Sequence, residues 1–460
     1  MKLPDGPKTS PWLLNHHFKT DPLGFMDAMG DRYGDIFTIM AGSEPLVIVS
    51  NPEGIKQIFT SAKEITAAGQ LNQGAALLVG SNGLLMLDGL RHKHRRQLLM
   101  PPLHGTRVKL YGERICQVAD KVINNLAIGQ SFYAYPTVQK ITLEVILQTL
   151  FGLHSGERYE QFRQVLSNLL SFSRSYWLGL SLSYPFLRKD LGHWTPWGYW
   201  LSLQREFDKL LKREIEERRS QADTSRTDVL SELVLACDET GQPMSYEDIR
   251  DLFPSLLLGG QDASATAITW SLYWIHHLPD VRQRLREELD TLGESPDPMK
   301  IAALPYLSAV CNEALRLYPT QVVTFPRLVE SPIELMGYEL SPGTILRGCI
   351  YLTHQREDLY PQPKQFRPER FLERPYTPYE FLPFGGGARR CPGEALGLFE
   401  MKLVLATIVS RYQLGLADEN KVEKPKAIGV NYPPSSKLKM VMLGQRPHQE
   451  RSQKLVTSST

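Results

Sequence analysis

The stretch Phe381–Gly397, FLPFGGGARRCPGEALG, constrains this chain more than any other. It sets Phe384, Gly387, Arg389, Cys391 and Gly393 in one glycine-rich turn that runs directly into an apolar-periodic helix. The thiolate, not the thiol, is the form of cysteine that ligates a metal, and a helix beginning at Pro392 is expected to lower the thiol pKa through its partial positive charge. Three consecutive glycines let backbone N–H groups approach the sulfur and temper its charge, a means of setting an iron's redox potential. A lone cysteine can equally be a buried structural residue. Here phenylalanine, glycine, arginine, cysteine and glycine occur together at offsets that suit an iron ligand.

This turn resembles the haem-binding loop of the cytochrome P450 family, the haem-thiolate monooxygenases. The resemblance implies haem b as cofactor, with Cys391 as the thiolate ligand of its iron. Arg389 would hold a haem propionate, Phe384 would shield the sulfur, and Gly387 and Gly393 would shape the loop. It also implies a mainly α fold, a triangular helical body around a buried haem, with a small β region. A cysteine ligand pushes electron density toward bound oxygen and favours O–O cleavage, so the ligand carries a reaction class with it.

Composition permits such a fold. The chain has 460 residues, 42% of them hydrophobic, with 17 Phe, 19 Tyr and 7 Trp to build a core. A net charge of +2 gives no reason to expect a nucleic-acid partner. The five cysteines, Cys116, Cys237, Cys311, Cys349 and Cys391, are scattered without a C-x-x-C, which argues against zinc and iron–sulfur sites and fits a reducing compartment. The N-terminal segment MKLPDGPKTSPWLLNHH has too short an apolar run for a signal peptide or membrane anchor. Leu252 to Ile275 is apolar enough to be mistaken for a membrane span. Gly259-Gly260-Gln261-Asp262 at its centre would be costly in lipid, so a buried central helix is expected. These features predict a cytoplasmic protein, soluble or resting on a membrane surface.

The pattern along the chain predicts one catalytic domain over 1–444. Pro4 and Pro7 suggest an extended lead-in within 1–20. Residues 35–50 alternate and break at Gly42, predicting a hairpin in a β-rich part at about 35–60. Helical periodicity dominates from Asn51 to about Asp290, with runs at 107–127, 200–220, 245–278 and 279–292. Short β-like runs return at 318–350, and a hairpin-like segment follows near 425–443. Residues 445–460 read as a polar, disordered tail.

Further motifs extend the resemblance. Glu313 and Arg316 can pair at i, i+3 on one helix face, and with Arg370 they match the family's Glu–Arg–Arg core, a structural role. His92 and Arg96 lie at i, i+4 on another helix; by the resemblance they join Arg389 and Arg327 as propionate partners. Arg91, Lys93, His94, Arg95 and Arg390 should then form a basic patch on the cysteine side, suited to an acidic ferredoxin-type donor served by its own reductase. No nucleotide-binding G-x-G-x-x-G or iron–sulfur ligand set lies within this chain, so electrons would come from separate proteins.

On the central helix the chain departs from the family. Gly259-Gly260-Gln261-Asp262-Ala263-Ser264 has alanine where a threonine normally donates a hydrogen bond on the oxygen side. The glycines should open the helix. Asp262 would relay protons. Ser264 lies one residue on, rotated by about 100°. Ordinary hydroxylation continues if water or Ser264 substitutes; otherwise the enzyme is a peroxygenase or a hydroperoxide isomerase.

The resemblance places an apolar pocket at Leu77, Leu78, Val79, Gly259, Thr266, Val322, Val323 and Tyr432. Residues 168–200, with Trp177, Tyr184, Phe186, Trp194, Trp197, Trp200, Arg188 and Lys189, are either packing between helices or a lid resting on a membrane. A fatty acid is the first expected substrate, an alkane or terpenoid the second, each oxidised with dioxygen. KLPDGPK, RYGDIFT and LLMPPLHG look most like cyanobacterial members that oxidise fatty acids and terpenoids. A haem protein that only binds ligands is the non-enzymatic alternative.

Overall fold

Ser245 starts the helix around which the body is built: its hydroxyl accepts from the Asp248 N–H at 3.1 Å. The helix runs through Tyr246–Leu258, widens into a π turn at Gly259–Ala263 and continues as Ser264–His277. The glycines expected to open it therefore sit at the π turn. Its second half packs against Ala134–Phe151, Pro305–Leu317 and Glu394–Arg411, burying Ile141, Val145, Ile268, Leu307 and Val404. Each such side chain contributes about 1.5–3 kcal/mol. A second core lies under the helices Glu157–Ser173 and Pro196–Gln221, where the Phe151 ring stands 4.9 Å from those of both Phe162 and Phe253.

The computed structural model describes residues 3–41, 44–221, 226–419, 423–425, 432–434 and 437–446. Among the described residues three small sheets flank the helices. The five-stranded one runs in the order Ile36–Ala41, Glu44–Val49, Ile345–Gly348, Arg327–Val329, Ile65–Thr66, with Glu44–Val49 parallel to Ile345–Gly348. The predicted hairpin is present, Ile36 facing Val49; its turn at Gly42 lies outside the described residues. Among the described residues no helix is long and apolar enough to cross a membrane.

Several boundaries move. The lead-in is extended only at its start, where Pro4 and Asp5 carbonyls accept from Thr38; Pro11 then opens a helix, Pro11–Thr20, from the first helical position that proline favours. The 35–60 part is β only to Val49, because Asn51 caps a helix at Pro52–Thr60 by accepting from the Glu53 and Gly54 N–H groups. The 107–127 run divides at Tyr111 into Gly105–Leu110 and Gly112–Asn124. The cysteine's helix begins at Glu394, not Pro392. Near 425–443 an antiparallel bridge joins Pro425 to Pro434, as the hairpin-like reading expects, and the strand Lys439–Gln445 pairs with Ser131–Tyr133 and Tyr412–Leu416. Gln445 ends that strand, and of the expected tail 447–460 lies outside the described residues.

Candidate active site

The Cys391 loop is closed by its own backbone: the Cys391 N–H donates to the Phe384 carbonyl at 2.9 Å. Gly387 takes a φ of +61°, which glycine alone adopts freely. At Gly386 a Cβ would meet the Phe59 ring at 2.2 Å, so the close approach needs glycine too. The Gly393 N–H reaches the Cys391 sulfur. Burial pushes the thiol's pKa up, against the pull of that N–H, Arg96 and Arg390. The depressed thiol expected from a helix N-terminus is thus overridden by desolvation, since the helix starts three residues on; an iron that binds the sulfur deprotonates it outright.

Beside this loop the fold collects His92 and Arg96 from the helix Gly89–Leu103, Arg327 from its strand, and Arg389. Burial pushes Arg327 down to about 10, and Arg389 adds to the effect. Arg389 and Arg96 are lowered as well, burial first in each. His92 falls to about 4 through burial and the charges of Arg389, Arg96 and Arg327. Arg389 donates to the carbonyls of Leu84, Ala67 and Leu87 and to Asp88 Oδ1 at 2.6 Å, and its Nε is buried with no partner. A positive cluster of this kind is satisfied by carboxylates.

On the other side, Asp262 is enclosed by Arg174 at 2.6 Å, Gln139 at 3.0 Å and Tyr135 at 3.5 Å. Burial raises its pKa against the lowering effect of Arg174 and Gln139. Ala263 and Ser264 are only half-buried, and an added Cβ at Gly259 meets nothing within 4 Å, so the π turn borders open space. Glu313, Arg316 and Arg370 form the expected buried core. Arg316 donates to both Glu313 oxygens at 2.7 and 2.9 Å, and Arg370 Nε donates to Oε1 at 3.0 Å.

A family model described as Cytochrome P450 matches residues 4–440. The chain belongs to the cytochrome P450 family. Cytochrome P450 135B1 of Mycobacterium tuberculosis is 34% identical over 431 residues, 93% of this chain and 88% of its own. Cytochrome P450 135A1 of the same organism is 30% identical, covering 96% of both. The retinoic-acid-bound cyanobacterial CYP120A1 shares the fold, with a TM-score of 0.81 and 22% identity over 97% of this chain and all of that one.

The site residues fit haem b, the cofactor of this family. A partly buried sulfur beside the Gly393 N–H suits its iron, the cluster of three arginines and His92 suits its two carboxylates, and the π turn leaves open space at Gly259. Of the expected pocket, Leu77 and Leu78 are half-buried against the second core, Val79 and Thr266 are buried, and Val323 and Tyr432 are half-buried. Val322 is instead core, packed with Phe37, Ile48 and Tyr351.

The basic patch of this P450 is weaker than its sequence suggests. Arg91 pairs with Glu239 at 3.2 Å, Arg390 with Glu394 at 2.5 Å, and Arg95 with Asp248 at 2.8 Å while only 1% exposed. The pairing acids for Arg91 and Arg95 lie far along the chain and are delivered by tertiary contact. Sequence reasoning missed Asp88, Tyr135, Gln139 and Arg174, each brought to the site by tertiary contact.

Proposed function

We propose that this P450, within one catalytic domain over 1–444, hydroxylates a long apolar substrate with dioxygen and electrons from a separate ferredoxin-type donor and its reductase. A fatty acid is the first candidate, an alkane or terpenoid the second. The observation that carries the reading is the open flank of the π turn at Gly259, in the same turn as Ala263 and just before Ser264. Haem b bound through Cys391 supplies the oxygen activation.

The chain's own residues do the rest. His92, Arg96, Arg327 and Arg389 hold the haem carboxylates, and the Gly393 N–H tempers the sulfur's charge. Gly387 lets the loop turn, and Phe384 covers the sulfur from the core side. Leu77, Leu78, Val79, Thr266, Val323 and Tyr432 exclude water and orient the chain of the substrate. Asp262 and Ser264 hold protons beside the opening.

Trp177, Tyr184, Phe186 and Trp194 are 61%, 50%, 69% and 92% exposed, which supports an apolar entrance resting on a membrane surface of the cytoplasm. Trp197 and Trp200 of the same stretch are buried and belong to the packing.

The test is isotope incorporation into a long-chain fatty acid by the haem-loaded protein. Labelled dioxygen with ferredoxin, reductase and NADPH forms one arm, and unlabelled hydrogen peroxide alone the other. Label in the product is the expected result. Product in the peroxide arm alone would replace the monooxygenase with a peroxygenase, the reading that Ala263 favours. Product in neither arm would move the substrate class to terpenoids.

A further inference from the structure

Two buried acids of the central helix stand on either side of Gly259, and each reaches a different neighbouring element. Asp262 is tied to Arg174, at the end of the helix Glu157–Ser173. Asp251, 3% exposed, reaches instead into the turn at 80–83, which follows the short helix Ala76–Val79. Its Oδ2 accepts from the Asn82 N–H at 3.0 Å, and its Oδ1 accepts from Arg250 Nε at 2.8 Å. Glycines make room for that bond on both sides. Gly80 has a φ of +76°, and a Cβ there would lie 2.5 Å from the Asp251 carboxyl carbon; at Gly83 it would lie 2.9 Å from the Asp251 carbonyl oxygen. Just upstream, Leu77 and Leu78 pack on the second core beside Leu252 and Leu257, and Val79 is buried. Just downstream, Arg389 holds the Leu84 and Leu87 carbonyls, so the segment is fastened between the central helix and the cysteine loop.

We propose that Asp251 is a positioning residue of the substrate pocket, which fixes Leu77, Leu78 and Val79 against the central helix about two turns before the π turn. The inference rests on the pocket proposed above. The other buried residues of Tyr246–Leu258 are Ile249, Leu252, Phe253 and Leu257, all apolar, so a leucine at 251 would suit the packing. A buried carboxylate costs free energy there unless it is hydrogen-bonded. Its ion-pair partner Arg250 is one-third exposed and can turn to water, so that pair adds little to the fold. What the carboxylate supplies and leucine would not is an acceptor for the N–H of a turn that no strand or long helix holds. A charge-assisted bond of this kind is stronger than a neutral one. The loss of Asp251 should therefore fall on the order of 76–83 and on ligands that touch it, because a pocket wall that is already in place spares a ligand the cost of ordering it.

The first readout is hydrogen exchange of the haem-loaded protein, wild type against Asp251→Leu and Asp251→Asn. Asp251→Leu should speed exchange in the peptide 76–83 by about tenfold or more, and leave the helix Ala134–Phe151 and the unfolding midpoint unchanged. Asp251→Asn keeps an oxygen for the Asn82 N–H and should keep most of the protection. The second readout is spectral titration with two azoles. Imidazole, which needs room at the iron only, should bind all three proteins alike. Clotrimazole, which fills a pocket, should bind Asp251→Leu about tenfold more weakly and Asp251→Asn nearly as well as wild type. If Asp251→Leu does not take up haem, Gly80→Ala, which pushes the turn away from the carboxyl, decides by the same two readouts. Unchanged exchange at 76–83 overturns the proposal, and so does protection lost across the whole protein. Unchanged clotrimazole affinity beside lost protection overturns it too. A wild type that binds clotrimazole as expected but oxidises no fatty acid, alkane or terpenoid would fail the function proposed above and leave the role of Asp251 standing.

Discussion

The molecule buries arginines in two clusters that look alike in sequence and are opposite in physics. Around Glu313, the Arg316 guanidinium meets both carboxylate oxygens and the carbonyls of His354 and Gln365, and Arg370 meets Glu313 and the Pro361 carbonyl. That network is complete but for Arg370 Nη2. Around Cys391, Arg96, Arg327, Arg389 and His92 depress one another's proton affinity, with Asp88 the one acid that faces His92 and Arg389. The first cluster holds the fold together. The second is electrostatically unfavourable until anions arrive, which is what a binding site for a dicarboxylate should be.

The sharpest way to break this comparison is to remove one acid. Glu313→Gln leaves two arginines buried without a charge partner and should cost about 3–5 kcal/mol in unfolding of the haem-free protein. A loss under about 1 kcal/mol would erase the distinction. Arg96→Gln should do the reverse, leaving the haem-free protein as stable or more so while weakening haem retention by about 2 kcal/mol, roughly 30-fold in transfer to apomyoglobin.

Acid sharpens the contrast further. His92 titrates near 4 in the fold against about 6.5 unfolded, so the haem-free protein should lose stability as pH falls from about 6.5 to about 4. The unfolded chain takes up a proton there that the native state refuses. His276 and His354, lowered to about 4 and about 3 by burial, add to that slope regardless of haem. Propionates beside His92 should flatten the slope by about 1.4 kcal/mol for each pKa unit restored, and His92→Asn should remove that haem-dependent part. The smallest effect is expected at Arg91, whose ion pair with Glu239 is half exposed: Arg91→Ala should change stability by less than about 1 kcal/mol and leave haem retention alone.

Much of the site was legible because it is local. The Phe384–Gly393 turn, the His92/Arg96 spacing and the Glu313/Arg316 pair each lie within a few residues, where backbone geometry ties sequence offset to direction in space. Helical runs were legible for the same reason, and their boundaries less so: Pro11 and Pro52 begin helices where the surrounding text reads as extended. Nothing in the sequence joins Arg174 to Asp262, or Arg95 to Asp248, because those pairs are made by helices that meet only after folding.

By itself, then, the sequence determined the iron's ligand, the family and the alanine on the oxygen side, all matters of residue identity at short range. Tertiary structure alone decided which charges are paired and which are left to face one another. Burial and distance set those energies, and they exist only once helices far apart in the chain pack together, as Glu394–Arg411 does against Ser264–His277.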